Sequence, residues 1–467
     1  MKSPARFFPL VMGSLLAAGI LLAAPVFSQQ PGESEPNLLV PENSGYYQAG
    51  VMPDRIVATP AQNPARGFAV NWRTQQGVDA PLLEIVKAGD SPDVGVPRQI
   101  SALTRTLGSG AQAANYHRAD IDGLEPDTLY MFRVAGAGTW SGWRQLRTLA
   151  ESREKPLTLL YMGDTQNKNL SHVSRVMREA MRHAPDAALA LHAGDLVSGA
   201  VNDNEWGEWF EAMGDMPAVM MLAPAIGNHE YWKAFENTPQ ERRVLGGHWR
   251  HLFALPGNGA AHEHARDTTY WFDANGVRMV VLDGTSALDL GSMAAQAQWL
   301  DKVLADSRQP WNMVMIHQPM FSPRGRGDSD KLRQALLPIL EKHGVDLVLQ
   351  GHDHTYGRRS GEKPGQTLPQ YIVSVVGAKQ YRITDEARRS MRPVAEDTQL
   401  FQVIRIVNDR LHYQARTATG RLYDSFEILR SADGRKRLNE ITQGRIAERD
   451  CHHREATLAG RKDRCWE

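Results

Sequence analysis

Leu157-Thr158-Leu159-Leu160-Tyr161-Met162-Gly163-Asp164-Thr165-Gln166 is an unbroken apolar run that stops at a glycine and an aspartate. A short run that is apolar on both faces reads as a strand buried inside a sheet. Residues 171–183 then show helical spacing and residues 187–193 are strand-like again, which makes a β-α-β unit with parallel strands. Apolar runs at 219–226, 279–283, 313–317 and 346–350 continue the rhythm, alternating with helical patterns at 294–306 and 332–343. Residues 401–406, 411–417 and 423–429 read as antiparallel strands, with a turn at Thr419-Gly420. The expected fold is therefore α/β: a layered domain over 155–430, sheets packed as a sandwich and flanked by helices.

Working towards the N-terminus, residues 48–150 change texture. Short β-branched or alternating runs at 55–58, 68–72, 82–88, 130–134 and 143–148 are separated by Pro, Gly, Asn and Asp, as in an all-β sandwich. Residues 29–47 are rich in Pro, Gly, Glu, Ser and Asn without hydrophobic period and read as a linker. Before them, Lys2 and Arg6 precede an apolar run from Phe7 to Ala24 and small residues up to Ser28. This is the pattern of a secretory signal peptide over 1–28, the alternative being an uncleaved anchor. It implies export to the periplasm or outside, with no membrane span once the signal is removed. Beyond Arg430 the sequence is charged and poor in apolar residues, so 431–467 is expected to be a tail. It holds the only cysteines, Cys451 and Cys465, which an oxidising compartment would pair; the other reading is a zinc site with His452 and His453.

At 467 residues two folded domains are the natural expectation. Lys plus Arg equal Asp plus Glu at 53 each, so no net field draws the whole chain to nucleic acid, and no binding platform for it is evident. The oligomeric state is not encoded in any pattern we recognise.

Function is carried by the polar residues that end the apolar runs: Gly163-Asp164-Thr165-Gln166, Gly194-Asp195, Gly227-Asn228-His229-Glu230, His317 and Gly351-His352-Asp353-His354. Ligands of α/β sheets gather at the carboxyl ends of strands, so these blocks can converge on one crevice. A glycine before the polar residue lets the chain turn sharply and lets a metal or phosphate approach. Carboxylate, imidazole and amide donors without thiolates suit Mn, Zn or Fe rather than a structural zinc. Any one block alone would be an ordinary turn or core histidine; their order behind successive strands is what points to a metal centre.

The ordered blocks resemble the calcineurin-like metallophosphoesterase superfamily, and Gly351-His352-Asp353-His354-Thr355-Tyr356-Gly357-Arg358 resembles its purple acid phosphatase form. Residues 121–130, with Leu124, Pro126, Thr128 and Tyr130, are similar to the corner of fibronectin type III domains, the kind of domain that precedes the catalytic one in purple acid phosphatases. The resemblance implies two divalent or mixed-valence metal ions bridged by Asp195. Asp164 and His354 would hold the first ion, and Asn228, His317 and His352 the second, with His229 as the catalytic histidine facing the substrate. Two departures stand out. Gln166 occupies the place of the superfamily's histidine, where it is a candidate neutral ligand, and Ser198 stands where purple acid phosphatases have a ligand tyrosine. Loss of tyrosinate implies loss of the purple colour.

The implied substrate is a small phosphorylated compound and the implied activity a phosphomonoesterase of acid phosphatase type. The alternatives are a phosphodiesterase or nucleotide pyrophosphatase on the same core, or a non-catalytic exported binding module. Glu230 is expected either to orient His229 or to hold a neighbouring loop. Residues 232–266 are expected to form a lid or wall of the site, and Arg324 and Arg326 to lie near a distal phosphate.

Overall fold

The computed structural model describes residues 36–450 apart from 79–80, 111–112, 326 and 362–366. The expected signal peptide, Arg326, Cys451 and Cys465 lie outside the described residues.

The N-terminal domain is a sandwich of two 4-stranded antiparallel sheets. One sheet orders Asp54–Pro60, Phe68–Gln75, Ala114–Ile121 and Leu103–Leu107; the other orders Arg98–Ser101, Leu82–Lys87, Leu129–Val134 and Arg144–Arg147. Trp72, Val70, Leu83, Phe132 and Val134 are fully buried between them. Each such side chain contributes roughly 1.5–3 kcal/mol. The Tyr130 hydroxyl accepts from the Glu125 N–H at 2.9 Å, fixing the corner that the sequence signals.

The second domain packs two 7-stranded sheets. The first runs Met221–Pro224, Leu189–His192, Leu157–Met162, Leu400–Val407, Arg410–Thr417, Leu422–Arg430 and Lys436–Glu440. Its first three strands are parallel and the rest antiparallel. The second sheet runs Tyr270–Ala274, Val277–Val281, Trp311–Met315, Leu347–Gln350, Gln370–Val373, Tyr356–Arg359 and Val394–Ala395. Tyr161, from the middle of the first sheet, crosses the interface and donates its hydroxyl proton to the Gln350 carbonyl. The two central strands are thereby locked in register, and their carboxyl ends, with Asp164 on one and His352 on the other, emerge side by side.

Two expectations are corrected. Residues 36–47 are not a free linker: Glu208 accepts the N–H groups of Leu39 and Val40, the Asn37 side chain accepts from the Lys168 N–H at 2.9 Å, and the Tyr47 ring packs where Gly207 has no side chain. Polar composition conceals this because the segment is held by hydrogen bonds and a single aromatic ring rather than by a periodic apolar face. Nor does the sheet end at Arg430, because Lys436–Glu440 adds an edge strand to Leu422–Arg430, its charged side chains suiting an edge exposed to water.

Among the described residues, no helix is long and apolar enough to cross a membrane.

Candidate metal centre

Each block sits at the carboxyl end of a buried strand and turns sharply there. Asp164 (φ 54°), Asp195 (φ 55°), His352 (φ 74°) and His354 (φ 49°) all adopt left-handed backbone, which costs a non-glycine residue on the order of 1–3 kcal/mol. The surrounding hydrogen bonds hold this strain. Glu230 is central to them: its carboxylate accepts from the N–H groups of Asp195 (3.0 Å), Leu196 (2.7 Å) and Gly227 (2.7 Å). Of the two roles foreseen for Glu230, the structure thus displays the loop-holding one. Its carboxyl is pushed up to about 7, first by burial and then by the Asp195 charge. Gly227 and Gly351 permit the close approach, since a side chain at either would collide with the carboxylate of Asp195 or Asp164.

Two groups of potential donors result, sharing one carboxylate. Asp195, His317 and His352 offer atoms that all lie within 4.8 Å of one another, and so do Asp164, Asp195 and His354. The imidazoles are oriented from behind. His317 Nδ1 donates to the Ala193 carbonyl at 2.7 Å and His354 Nδ1 to the Lys379 carbonyl at 3.0 Å, which turns each Nε2 inward. His317 Nε2 is then 3.1 Å from Asp195 Oδ2 and 3.2 Å from His352 Nδ1. Gln166 places its amide Nε2 2.9 Å from Asp195 Oδ2 and 2.9 Å from His354 Nε2. About 3 Å is the separation of neighbouring donors around one cation with bonds near 2.1 Å at right angles. A half-turn of that amide would present Oε1, a buried acceptor with no hydrogen-bond partner among the described residues. Asp164 Oδ1, Asn228 Oδ1 and Ser198 Oγ are likewise buried with no hydrogen-bond partner among the described residues, Asp164 Oδ1 lying 3.5 Å from His354 Nε2.

The electrostatics ask for positive charge. Burial drives the Asp164 carboxyl well above its usual range, and the Asp195 charge adds to this against the opposing effect of His317. Asp195 is held well below its usual range because His317, His229 and His352 outweigh its burial. Burial alone would lower His317, but Asp195 and then Asp164 raise it to about 9. His354 is lowered to about 3, by burial and then by the Lys379 ammonium. A cluster of buried carboxylates and inward-facing nitrogens that divides its protons this unevenly fits divalent cations better than protons.

His229 lies beside these groups: its N–H donates to Asp195 Oδ1 at 2.9 Å and its ring Nδ1 donates to the Ser198 carbonyl at 2.7 Å. Of residues 232–266, the hairpin Tyr231–Ala234 with Arg242–Leu245 follows directly, and Arg243 reaches the Asn228 carbonyl at 3.4 Å.

Comparison with known proteins agrees with this geometry. Residues 157–356 match the calcineurin-like phosphoesterase family, and residues 53–148 match the purple acid phosphatase N-terminal domain. The chain carries a calcineurin-like phosphoesterase domain behind a purple acid phosphatase N-terminal domain. Among relatives, an uncharacterized protein of Mycobacterium tuberculosis is 26% identical over 330 residues, which is 64% of this chain and 60% of that protein. Purple acid phosphatase 18 of Arabidopsis thaliana is 24% identical over 55% of this chain and 56% of its own length. The matched part is thus less than two thirds of these curated relatives. A purple acid phosphatase from yellow lupin seeds shares the fold, with a TM-score of 0.67 at 17% identity over 82% of this chain and 75% of that one.

The phosphoesterase domain contributes all the foreseen site residues. The backbone acceptors at Ala193, Ser198 and Lys379, which orient His317, His229 and His354, were not foreseen, because a carbonyl leaves no mark on the identity of the residue that carries it.

Proposed function

We propose that this protein is an exported metal-dependent hydrolase of phosphate esters, acting as a phosphomonoesterase of acid phosphatase type on small phosphorylated compounds. The observation that carries the reading is the pair of donor groups joined through Asp195. Asp164, Gln166, Asp195 and His354 would hold a first ion, and Asp195, Asn228, His317 and His352 a second, with Mn, Zn or Fe compatible with such donors. Bound there, two such ions would lower the pKa of water and offset charge on the phosphate oxygens.

The chain's own residues complete the chemistry. The Ser198 carbonyl fixes the His229 proton on Nδ1, so a second proton taken up at Nε2 is the one available to the departing alkoxide. Glu230 keeps the loops of Asp195 and Gly227 at fixed spacing, so the donors need not reorganise during the reaction. The leader over 1–28 would deliver the protein to the periplasm or outside the cell.

The test is metal analysis of purified protein beside hydrolysis of nitrophenyl phosphate and bis-nitrophenyl phosphate. About two metals per chain with faster monoester cleavage supports the proposal. Preference for the diester would move the assignment to a phosphodiesterase, and absence of bound metal would overturn it.

A further inference from the structure

The sandwich and the phosphoesterase domain leave a cavity of about 430 Å³ between them, within the usual range of small-molecule sites. Gln62 and Asn63 line it from the sandwich, Glu151 from the connection, and Trp271, Asp273 and Gln309 from the second domain. It is remote from the metal donors. Tyr270–Ala274 turns at Asn275-Gly276 into Val277–Val281, which runs parallel to Trp311–Met315. The turn and Gln309 therefore lie at the amino ends of strands whose carboxyl ends lead to His317 and His352. Asn275 fixes the cavity wall by tying the connection to this turn: its Oδ1 accepts from the Ala150 N–H at 2.9 Å, and its Nδ2 donates to the Lys155 carbonyl at 3.2 Å.

The lining is polar yet electrically matched. Tyr270, Phe272 and Ala274 point into the core, so Trp271 and Asp273 share the other face of their strand. The Arg278 guanidinium lies over the Trp271 ring, 4.0 Å from its centroid, and holds the two Asp273 oxygens at 2.7 and 2.8 Å. Glu151 is likewise paired, with Arg66 at 2.7 Å. Both carboxylates being met by arginine, the cavity has no surplus charge with which to select an ion. What is left over is neutral: among the described residues, the carboxamides of Gln62 and Gln309 and the indole N–H of Trp271 have no hydrogen-bond partner. A carboxamide offers donors and an acceptor together, as a hydroxyl does, and a carboxylate engaged by arginine keeps lone pairs for hydroxyl donors. An indole adds apolar surface that suits the C–H groups of a sugar ring.

We propose that this cavity is a binding site for a neutral sugar, separate from the metal centre. The ring of the sugar lies against Trp271, and its hydroxyls bond to Gln62, Gln309 and Asp273. No bond is made or broken there, and the proposal does not depend on the hydrolase reading.

The experiment titrates the metal-loaded protein by calorimetry with glucose, galactose, mannose and N-acetylglucosamine. Oligosaccharides of each distinguish a free sugar from the end of a glycan chain, and glucuronate tests whether charge is selected. The parent should bind at least one neutral sugar with a Kd in the millimolar range or below. Trp271→Ala should weaken that binding about tenfold, the worth of one aromatic contact, and Gln62→Ala and Gln309→Ala should each weaken it several-fold. All three should leave nitrophenyl phosphate hydrolysis unchanged. Thermal unfolding checks each variant, and if Trp271→Ala is not stably folded the two glutamine variants decide. Absence of binding to every neutral sugar, full binding retained by any stably folded variant, or tighter binding of glucuronate than of glucose overturns the proposal. Because none of these probes is a phosphate ester, their binding stands or falls separately from the hydrolase reading.

Discussion

Asp195 serves both halves of the centre, yet the halves differ in what else they offer. On one side stand the imidazoles of His317 and His352, their nitrogens 3.2 Å apart, and the amide oxygen of Asn228, foreseen as a donor on this side, is buried. On the other stand one imidazole, His354, one carboxylate, Asp164, and the neutral amide of Gln166. Both halves use the same backbone device, a left-handed polar residue at the end of a buried strand. Position is therefore supplied by the fold, whereas affinity is supplied by side-chain chemistry. An amide oxygen cancels no charge and binds late divalent metals less well than imidazole, so the Gln166 half should hold its ion more weakly.

The most severe way to break this comparison is Asp195→Asn, which removes the one group common to both halves. Metal content should fall at both positions, and activity by about 10⁴-fold or more, since several kcal/mol of charge stabilisation go with it. Retention of one full equivalent of metal would show that the halves are independent. His229→Ala should leave both halves filled and lower turnover of a poor leaving group by roughly 10²- to 10⁴-fold; unchanged turnover removes His229 from the reaction. Gln166→Ala sharpens the contrast, because chelator titration should strip one ion about tenfold more readily than in the parent, and Gln166→His should reverse that, most of all for zinc. Equal chelation curves for parent and Gln166→Ala would exclude the amide as a ligand. The smallest effect is spectroscopic: with iron loaded, the protein should stay colourless in the visible region, as Ser198 provides no tyrosinate. A purple band would direct attention to Tyr381, whose ring lies against that of His354.

How much of this was legible depended on what kind of residue carried the information. The strands that lead to Asp164, Asp195 and His352 were plain because apolar residues dominate both buried faces, with Thr158, His192 and Gln350 the exceptions. Ala114–Ile121 escaped notice although it is central in its sheet. Its inward positions include Asn115 and His117, and His117 is buried between the hydroxyls of Thr74 and Thr104, each 2.8 Å from a ring nitrogen. Hydrophobic pattern cannot see a core position satisfied by hydrogen bonds. The donor residues were readable as glycine-plus-polar blocks, whereas the lining of the interdomain cavity unites Gln62, Trp271 and Gln309, positions from both domains that no local spacing relates.

The contacts of residues 36–47 and of the N-terminal sandwich with the second domain bear on how the molecule comes apart. Arg55 grips both carboxylate oxygens of Asp203 at 2.6 and 2.8 Å, Arg73 reaches the same carboxylate at 3.0 Å, and His248 meets it at 2.9 Å. Asp203 begins the helix Asp203–Met213, whose Glu208 fastens Leu39 and Val40, while Asn37 holds the loop that follows Gln166. Opening the junction would strand two buried guanidiniums and loosen the turn that aims Gln166. These contacts tie the two sequence modules together, and the loop that follows Gln166 draws part of its order from residues that precede the first strand.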